Sequence, residues 1–205
     1  MLIILCIFFS LFCWLIDPTI VEQFLVFRAS DFLTGKGWTV ISALFIHVNF
    51  IHLIGNILFL FVFGNTLENT LGARKMVLAF FIGGISSFIL SSFFYGVEVN
   101  MAGASAAIFT LAAVVMLIKP LKFSWLFFMP LGLVAILYFV YNLIAAYTMV
   151  QGNVGYVAHI IGFLIGCPFG IAWSQRRWLR NLLISIFLLI FYVIIIFIFQ
   201  TFTLF

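Results

Sequence analysis

Long apolar runs separated by short polar breaks dominate the chain. The runs cover residues 2–16, about 48–66, 76–95, 103–118, 123–148, 155–173 and 181–203. Most approach the roughly 20 residues that a helix needs to cross a bilayer. The first run is short, but it has neither a basic leading segment nor a small-residue cleavage motif, so it is read as a helix rather than a signal peptide. Lys119-Pro120-Leu121-Lys122 breaks the fourth run from the fifth, and Arg176-Arg177-Trp178-Leu179-Arg180 breaks the sixth from the seventh. Residues 17–40 mix Asp17, Glu22, Arg28 and Asp31 with Phe24, Leu25, Phe27, Phe32, Leu33 and Trp38, which suits a loop lying in the membrane interface. The pattern predicts an all-α polytopic membrane protein of seven spans: a six-helix bundle over 1–173 with the external interfacial loop 17–40, then 174–205 as a basic cytoplasmic linker and an additional C-terminal transmembrane helix. The last helix carries no motif and is expected to face lipid.

Composition agrees with this reading: 67% of residues are hydrophobic and 7% charged, and the mean hydropathy is +1.38. The net charge of +4 is split into short clusters between apolar runs, which argues against a nucleic-acid partner. Arg74, Lys75, Lys119, Lys122, Arg176, Arg177 and Arg180 fall on one side of the alternating loops, and Arg28 and Lys36 on the other. The positive-inside rule then places the N-terminus in the cytoplasm and loop 17–40 outside, in a multi-pass protein of the cell membrane. Cys6, Cys13 and Cys167 all lie in apolar runs and are read as small hydrophobes rather than a disulfide framework.

Polar residues are costly inside a bilayer and are candidates for function. His52 and Asn56 stand in the first turns of the second span, Ser105 opens the fourth, and His159 lies early in the sixth. All three spans run inward, so these groups sit within about 12 Å of the external helix ends, at one depth. His159, Phe163, Gly162 and Gly166 share a face thinned by the two glycines, which permits close approach to a partner helix. Such packing would bring the His159 ring within reach of the Ser105 hydroxyl, as an activated nucleophile requires. Taken singly, each residue also has a structural explanation: small residues pack helices, and a serine hydroxyl can bond its own backbone.

Zinc chemistry is disfavoured. His47 and His52 would lie about 140° apart on a helix, and no glutamate accompanies them. The only aspartates, Asp17 and Asp31, are in the first loop, which excludes an aspartyl pair within the spans. No acidic residue neighbours His159, so the simpler expectation is a Ser105–His159 dyad, with a loop carboxylate left open as a third member. The Ser105 backbone N–H, the Asn56 amide and the His52 ring are candidate oxyanion donors. No cofactor or metal is expected.

These residues resemble the rhomboid family of intramembrane serine proteases. His47-x4-His52-Leu53-x2-Asn56 is similar to the family's second-helix motif, Gly103-Ala104-Ser105-Ala106 to its nucleophile motif, and Ala158-His159-x2-Gly162-x3-Gly166 to its sixth-helix motif. Trp38 resembles part of its first-loop element, and Gly64-x3-Glu68-x3-Gly72 its second-helix end. The resemblance implies Ser105 as nucleophile, His159 as base, His52 and Asn56 around the oxyanion, and Gly103, Phe109, Gly162, Gly166 and His47 in support. It also implies a water-filled cavity open to the outside and transmembrane proteins as substrates. Ala106 stands where a second glycine is usual, Phe109 where many members have tyrosine, and Thr39 where arginine is usual; a phenylalanine can stack on His159 but has no hydroxyl to hold it. The fifth span carries Pro130 and Gly132, expected to weaken its packing and make it a candidate gate. The competing expectation is an inactive rhomboid-like protein that binds client transmembrane helices. A transporter is disfavoured because the polar layer is confined to one side.

Overall fold

The computed structural model describes residues 1–148 and 155–203. In chain order its helices are α1 (Leu2–Cys13), α2 (Pro18–Phe24), α3 (Ala29–Leu33), α4 (Thr39–Ser42), α5 (Phe50–Phe59), α6 (Asn65–Leu71), α7 (Ala73–Tyr95), α8 (Ser105–Ile118), α9 (Leu131–Tyr147), α10 (Tyr156–Trp173) and α11 (Trp178–Thr203). A π-helical stretch, Leu60–Gly64, joins α5 to α6, and the two run as one helix over Phe50–Leu71. Among the described residues, four helices are long and apolar enough to cross a membrane: Phe50–Leu71, Ala73–Tyr95, Tyr156–Trp173 and Trp178–Thr201. α1, α8 and α9 are apolar but shorter.

Helix α8 is the axis of the bundle. Every residue from Ala106 to Leu117 is buried, and α7, α9, α10 and α11 all contact it. Its 14 residues span about 21 Å, short of the roughly 30 Å hydrocarbon core. A helix buried on all sides must lack a polar stripe, and this one has only Ser105 and Thr110. The outer helices instead expose many large apolar side chains, such as Phe93, Phe187 and Phe199, which suit hydrocarbon rather than water.

Three expectations need revision. Residues 123–130 are not the start of a span but a two-stranded antiparallel hairpin, β1 (Phe123–Ser124) with β2 (Met129–Pro130). Pro130 then serves as the N-cap of α9, where its missing N–H costs nothing. Gly132 does not loosen the helix; a Cβ there would lie 2.7 Å from the Pro120 Cβ, so its absence lets chain segments pack closely. Pro130 and Gly132 therefore give no reason to regard α9 as weakened. Lastly, α11 is not wholly lipid-facing. Asn181 and Ser185 are buried, and the Asn181 amide donates to the carbonyls of Leu117 (2.8 Å) and Ile118 (3.3 Å), which end α8 without intrahelical partners.

Segment 17–40 folds into the short helices α2 and α3, and α4 begins at Thr39. Asp17 caps α2 by accepting from the Thr19 N–H at 2.8 Å. Phe27 and Met101 exchange backbone hydrogen bonds, and Arg28 Nε donates to Asn100 Oδ1 at 3.0 Å, tying this segment to the loop before Ser105. Trp38 donates its indole N–H to the Phe24 carbonyl at 2.9 Å, and Thr39, where arginine was the expected residue, is fully buried with its hydroxyl on the Lys36 carbonyl.

Candidate active site

Ser105 is the first residue of α8, and the loop before it is fixed from two sides. Gly103 N–H donates to the Ala43 carbonyl at 2.8 Å, and Ala104 N–H points at His47 Nε2 at 3.4 Å. Gly103 adopts φ +115°, a conformation that favours glycine, and a Cβ there would fall 2.8 Å from the His52 ring. Both constraints require glycine at that position. Ala104 at the N-cap has no side chain to bond the first amides of α8, so this end carries unsatisfied N–H groups and a partial positive charge.

His47 belongs to the loop before α5, not to a helix. Its ring centroid lies 5.0 Å from that of His52, so the two histidines do meet, contrary to the angular argument from an assumed helix. Among the described residues, no third histidine, cysteine or carboxylate joins them in a cluster able to hold a metal ion. Accepting from Ala104 leaves His47 Nδ1 as the protonated nitrogen. It donates to Ser10 Oγ at 2.9 Å, and that hydroxyl donates to the Phe45 carbonyl at 3.1 Å. Trp14 adds an indole bond to the His47 carbonyl at 2.8 Å. Helix α1 thus supports the Ser105 loop through one buried ring.

His159 stands in the first turn of α10, with Nε2 2.7 Å from Ser105 Oγ. The start of α10 is itself held by Tyr95, whose phenol oxygen accepts from the Val157 N–H at 2.8 Å. The approach depends on the glycine face. A Cβ at Gly162 would lie 3.0 Å from the Ala106 carbonyl carbon and nearer still to its oxygen, and one at Gly166 would meet Ala113 Cβ at 2.8 Å. Thr110 Oγ1 donates to the Gly162 carbonyl at 2.8 Å, closing the α8–α10 seam with a hydrogen bond. Ala106 still fits against Gly162. Phe109 stacks on the imidazole with centroids 4.6 Å apart and planes 9° from parallel.

The structure brings Ser105, His159, Phe109, Gly103, His47 and His52 into one layer, at the N-terminal ends of α5, α8 and α10. Asn56 is buried one turn after His52, and its amide donates to the His52 carbonyl at 2.8 Å. Several supports escaped the sequence reading: Ser10, Trp14, Tyr95 and Thr110 hold the surrounding loops and helices. One further residue meets the site directly, Asn142 on α9, whose Oδ1 lies 2.8 Å from His159 Nδ1. An asparagine within an apolar run was the available signal. Because α9 ends where α10 begins, its C-terminal turns share the layer of the other helices' N-termini.

A serine hydroxyl bonded to an imidazole beside free helix amides can carry out acyl transfer: the ring removes the proton, and the amides receive an oxyanion. A family model described as Rhomboid domain matches residues 34–176. The chain is 31% identical over 139 residues to "RHOMBOID-like protein 6, mitochondrial" of Arabidopsis thaliana, covering 66% of this chain and 43% of that protein. It is 27% identical over 145 residues to "Rhomboid protease GlpG" of Yersinia pseudotuberculosis, covering 70% and 50%. It is also 37% identical over 76 residues to "RHOMBOID-like protein 2" of Arabidopsis thaliana, covering 37% and 24%. The chain therefore spans half or less of the length of these relatives. It belongs to the rhomboid family.

Proposed function

We propose that this member of the rhomboid family is an intramembrane serine endopeptidase acting through Ser105 and His159. The observation that carries the reading is the 2.7 Å contact between Ser105 Oγ and His159 Nε2 at the N-terminal end of α8. In the proposed reaction, Ser105 Oγ attacks the scissile carbonyl while His159 Nε2 takes its proton. The tetrahedral oxyanion is received by the free amides at the start of α8, with the His52 ring and the Asn56 amide beside it. His159 then protonates the leaving amine, and water repeats the sequence on the acyl-enzyme.

The substrate class is membrane proteins with a helix that unwinds easily near the cut, because a helical peptide bond is shielded from attack. The proposed architecture is a six-helix core over 1–173 and a seventh span after the basic linker, with the N-terminus cytoplasmic and the site opening outward in the cell membrane. The basic loop residues support that orientation. An inactive client-binding role is disfavoured because both members of the reacting pair are present and in contact.

Ser105→Ala and His159→Ala, tested beside the wild type on a reconstituted transmembrane substrate, are expected to abolish cleavage. Fluorophosphonate is expected to label the wild type at Ser105. Residual cleavage by Ser105→Ala would refute the mechanism, and a folded wild type that neither labels nor cleaves would favour the binding role.

A further inference from the structure

We infer that Asn142 is a third, positioning member of the site, which holds His159 in the one tautomer able to accept the Ser105 proton. The inference rests on the proposed Ser105–His159 chemistry and extends it.

The direction of every hydrogen bond follows from a single fixed acceptor. Asn142 Nδ2 lies 2.7 Å from the Tyr138 carbonyl, and a carbonyl only accepts. The amide nitrogen must therefore face Tyr138, leaving Oδ1 turned toward His159 Nδ1 at 2.8 Å. An amide oxygen also only accepts, so Nδ1 carries the ring proton. Nε2 is then left with its lone pair toward the Ser105 hydroxyl at 2.7 Å. The opposite tautomer would set a bare Nδ1 against a bare Oδ1 and leave Nε2 unable to accept.

A purely structural role accounts for only half of this geometry. An asparagine in an apolar helix can satisfy its NH2 on the carbonyl four residues earlier, and Asn142 does so. Its Oδ1 is still left without a donor from its own helix, and Asn142 is 2% exposed. A buried acceptor needs a partner, and His159 supplies it. The ring is thereby held in two ways: Phe109 fixes its plane by stacking, and Asn142 fixes its rotation within that plane. Phe109 has no hydroxyl, so the polar restraint comes from α9 instead. A neutral amide also suits the setting, since a carboxylate at this depth would have to be desolvated.

The test uses the full chain in liposomes with a transmembrane substrate. Asn142→Leu removes the acceptor while retaining bulk, and Asn142→Asp, neutral when protonated in this buried setting, keeps an O–H for the Tyr138 carbonyl and an oxygen opposite Nδ1. Leaving a buried N–H unpaired, or releasing the ring to its other tautomer, should lower kcat about 10- to 100-fold with KM changed less than about twofold. Asn142→Asp should recover most of that loss, which a general packing defect would not allow. Nitrogen-15 spectra of the wild type, with His159 assigned by substitution, should show Nδ1 protonated and Nε2 bare, and Asn142→Leu should lose that preference. An unchanged kcat in Asn142→Leu, or a wild-type His159 protonated at Nε2, would overturn the inference. The wild-type spectrum decides the point even if neither variant folds. If the wild type cleaves nothing, the protease reading fails, while the spectrum still tests the Asn142 contact on its own.

Discussion

Adding one methyl group at Gly162 should separate Ser105 from His159. The Cβ of Gly162→Ala would lie 3.0 Å from the Ala106 carbonyl carbon and 3.1 Å from Ser87 Oγ, with the Ala106 oxygen closer still. Non-bonded carbon contacts are comfortable at about 3.5–4.0 Å, so α10 must move from α8 by about 1 Å. Backbone cannot rotate away as a flexible side chain can. The shift stretches the Thr110–Gly162 hydrogen bond from 2.8 Å and the Ser105–His159 contact from 2.7 Å, taking the latter to about 3.5 Å or more, beyond useful geometry. A displacement of that size can cost about 100-fold in rate, against an overpacking cost of about 1–3 kcal/mol in stability. Gly170→Ala is the matched control. It lies two turns further along α10, where the new Cβ meets the Leu117 side chain, 2.7 Å from its Cδ1. Fluorophosphonate labelling of Ser105 and cleavage of a reconstituted substrate should fall about 100-fold for Gly162→Ala, and much less for Gly170→Ala at comparable thermal stability. Wild-type labelling by Gly162→Ala, or equal losses at both positions, would refute the claim that this seam sets the Ser105–His159 distance.

Ser10→Ala should leave His47 Nδ1–H buried and unpaired, costing about 1–3 kcal/mol, and slow Ser105 labelling because the Ala104 contact loosens; thermal unfolding in detergent with a labelling time course checks both. Asn181→Leu should lower stability by about 1–2 kcal/mol through the carbonyls of Leu117 and Ile118, while cleavage per folded molecule stays unchanged, since this contact lies at the far end of α8 from Ser105. The Thr19 hydroxyl and the Thr19 backbone N–H hold the Asp17 carboxyl below its ordinary range, so its capping of α2 is fully present above that range and is lost as pH falls through the lower folded value. Hydrogen exchange of α2 amides should accelerate across that acidic window, and the Asp17→Asn protein should show a flatter response.

Much of the site could be read from spacing because helices impose it. Gly162 and Gly166 fall on the His159 face by the helical period alone, and Ser105, His52 and His159 could be placed at one depth by counting from helix ends. Asn142 was legible only as a polar residue in an apolar run, since nothing in sequence measures the rotation of α9 about α10. Ser10 was hidden for the same reason: its partner is 37 residues away. The angular separation assigned to His47 and His52 failed because His47 precedes the helix, where the 100° step does not apply. The role of Pro130 depends on whether a helix starts at it or runs through it, and here the helix starts at it.

The sequence by itself determined the membrane setting and the order of the apolar helices, and it marked Ser105 and His159 as candidates, because hydrophobic length and helical period are local properties of the chain. The tertiary structure decided the 2.7 Å contact between them, the tautomer imposed through Asn142 and the support of the Ser105 loop by α1. Those features depend on how neighbouring helices rotate and approach, which is set only when their side chains and backbones pack against one another.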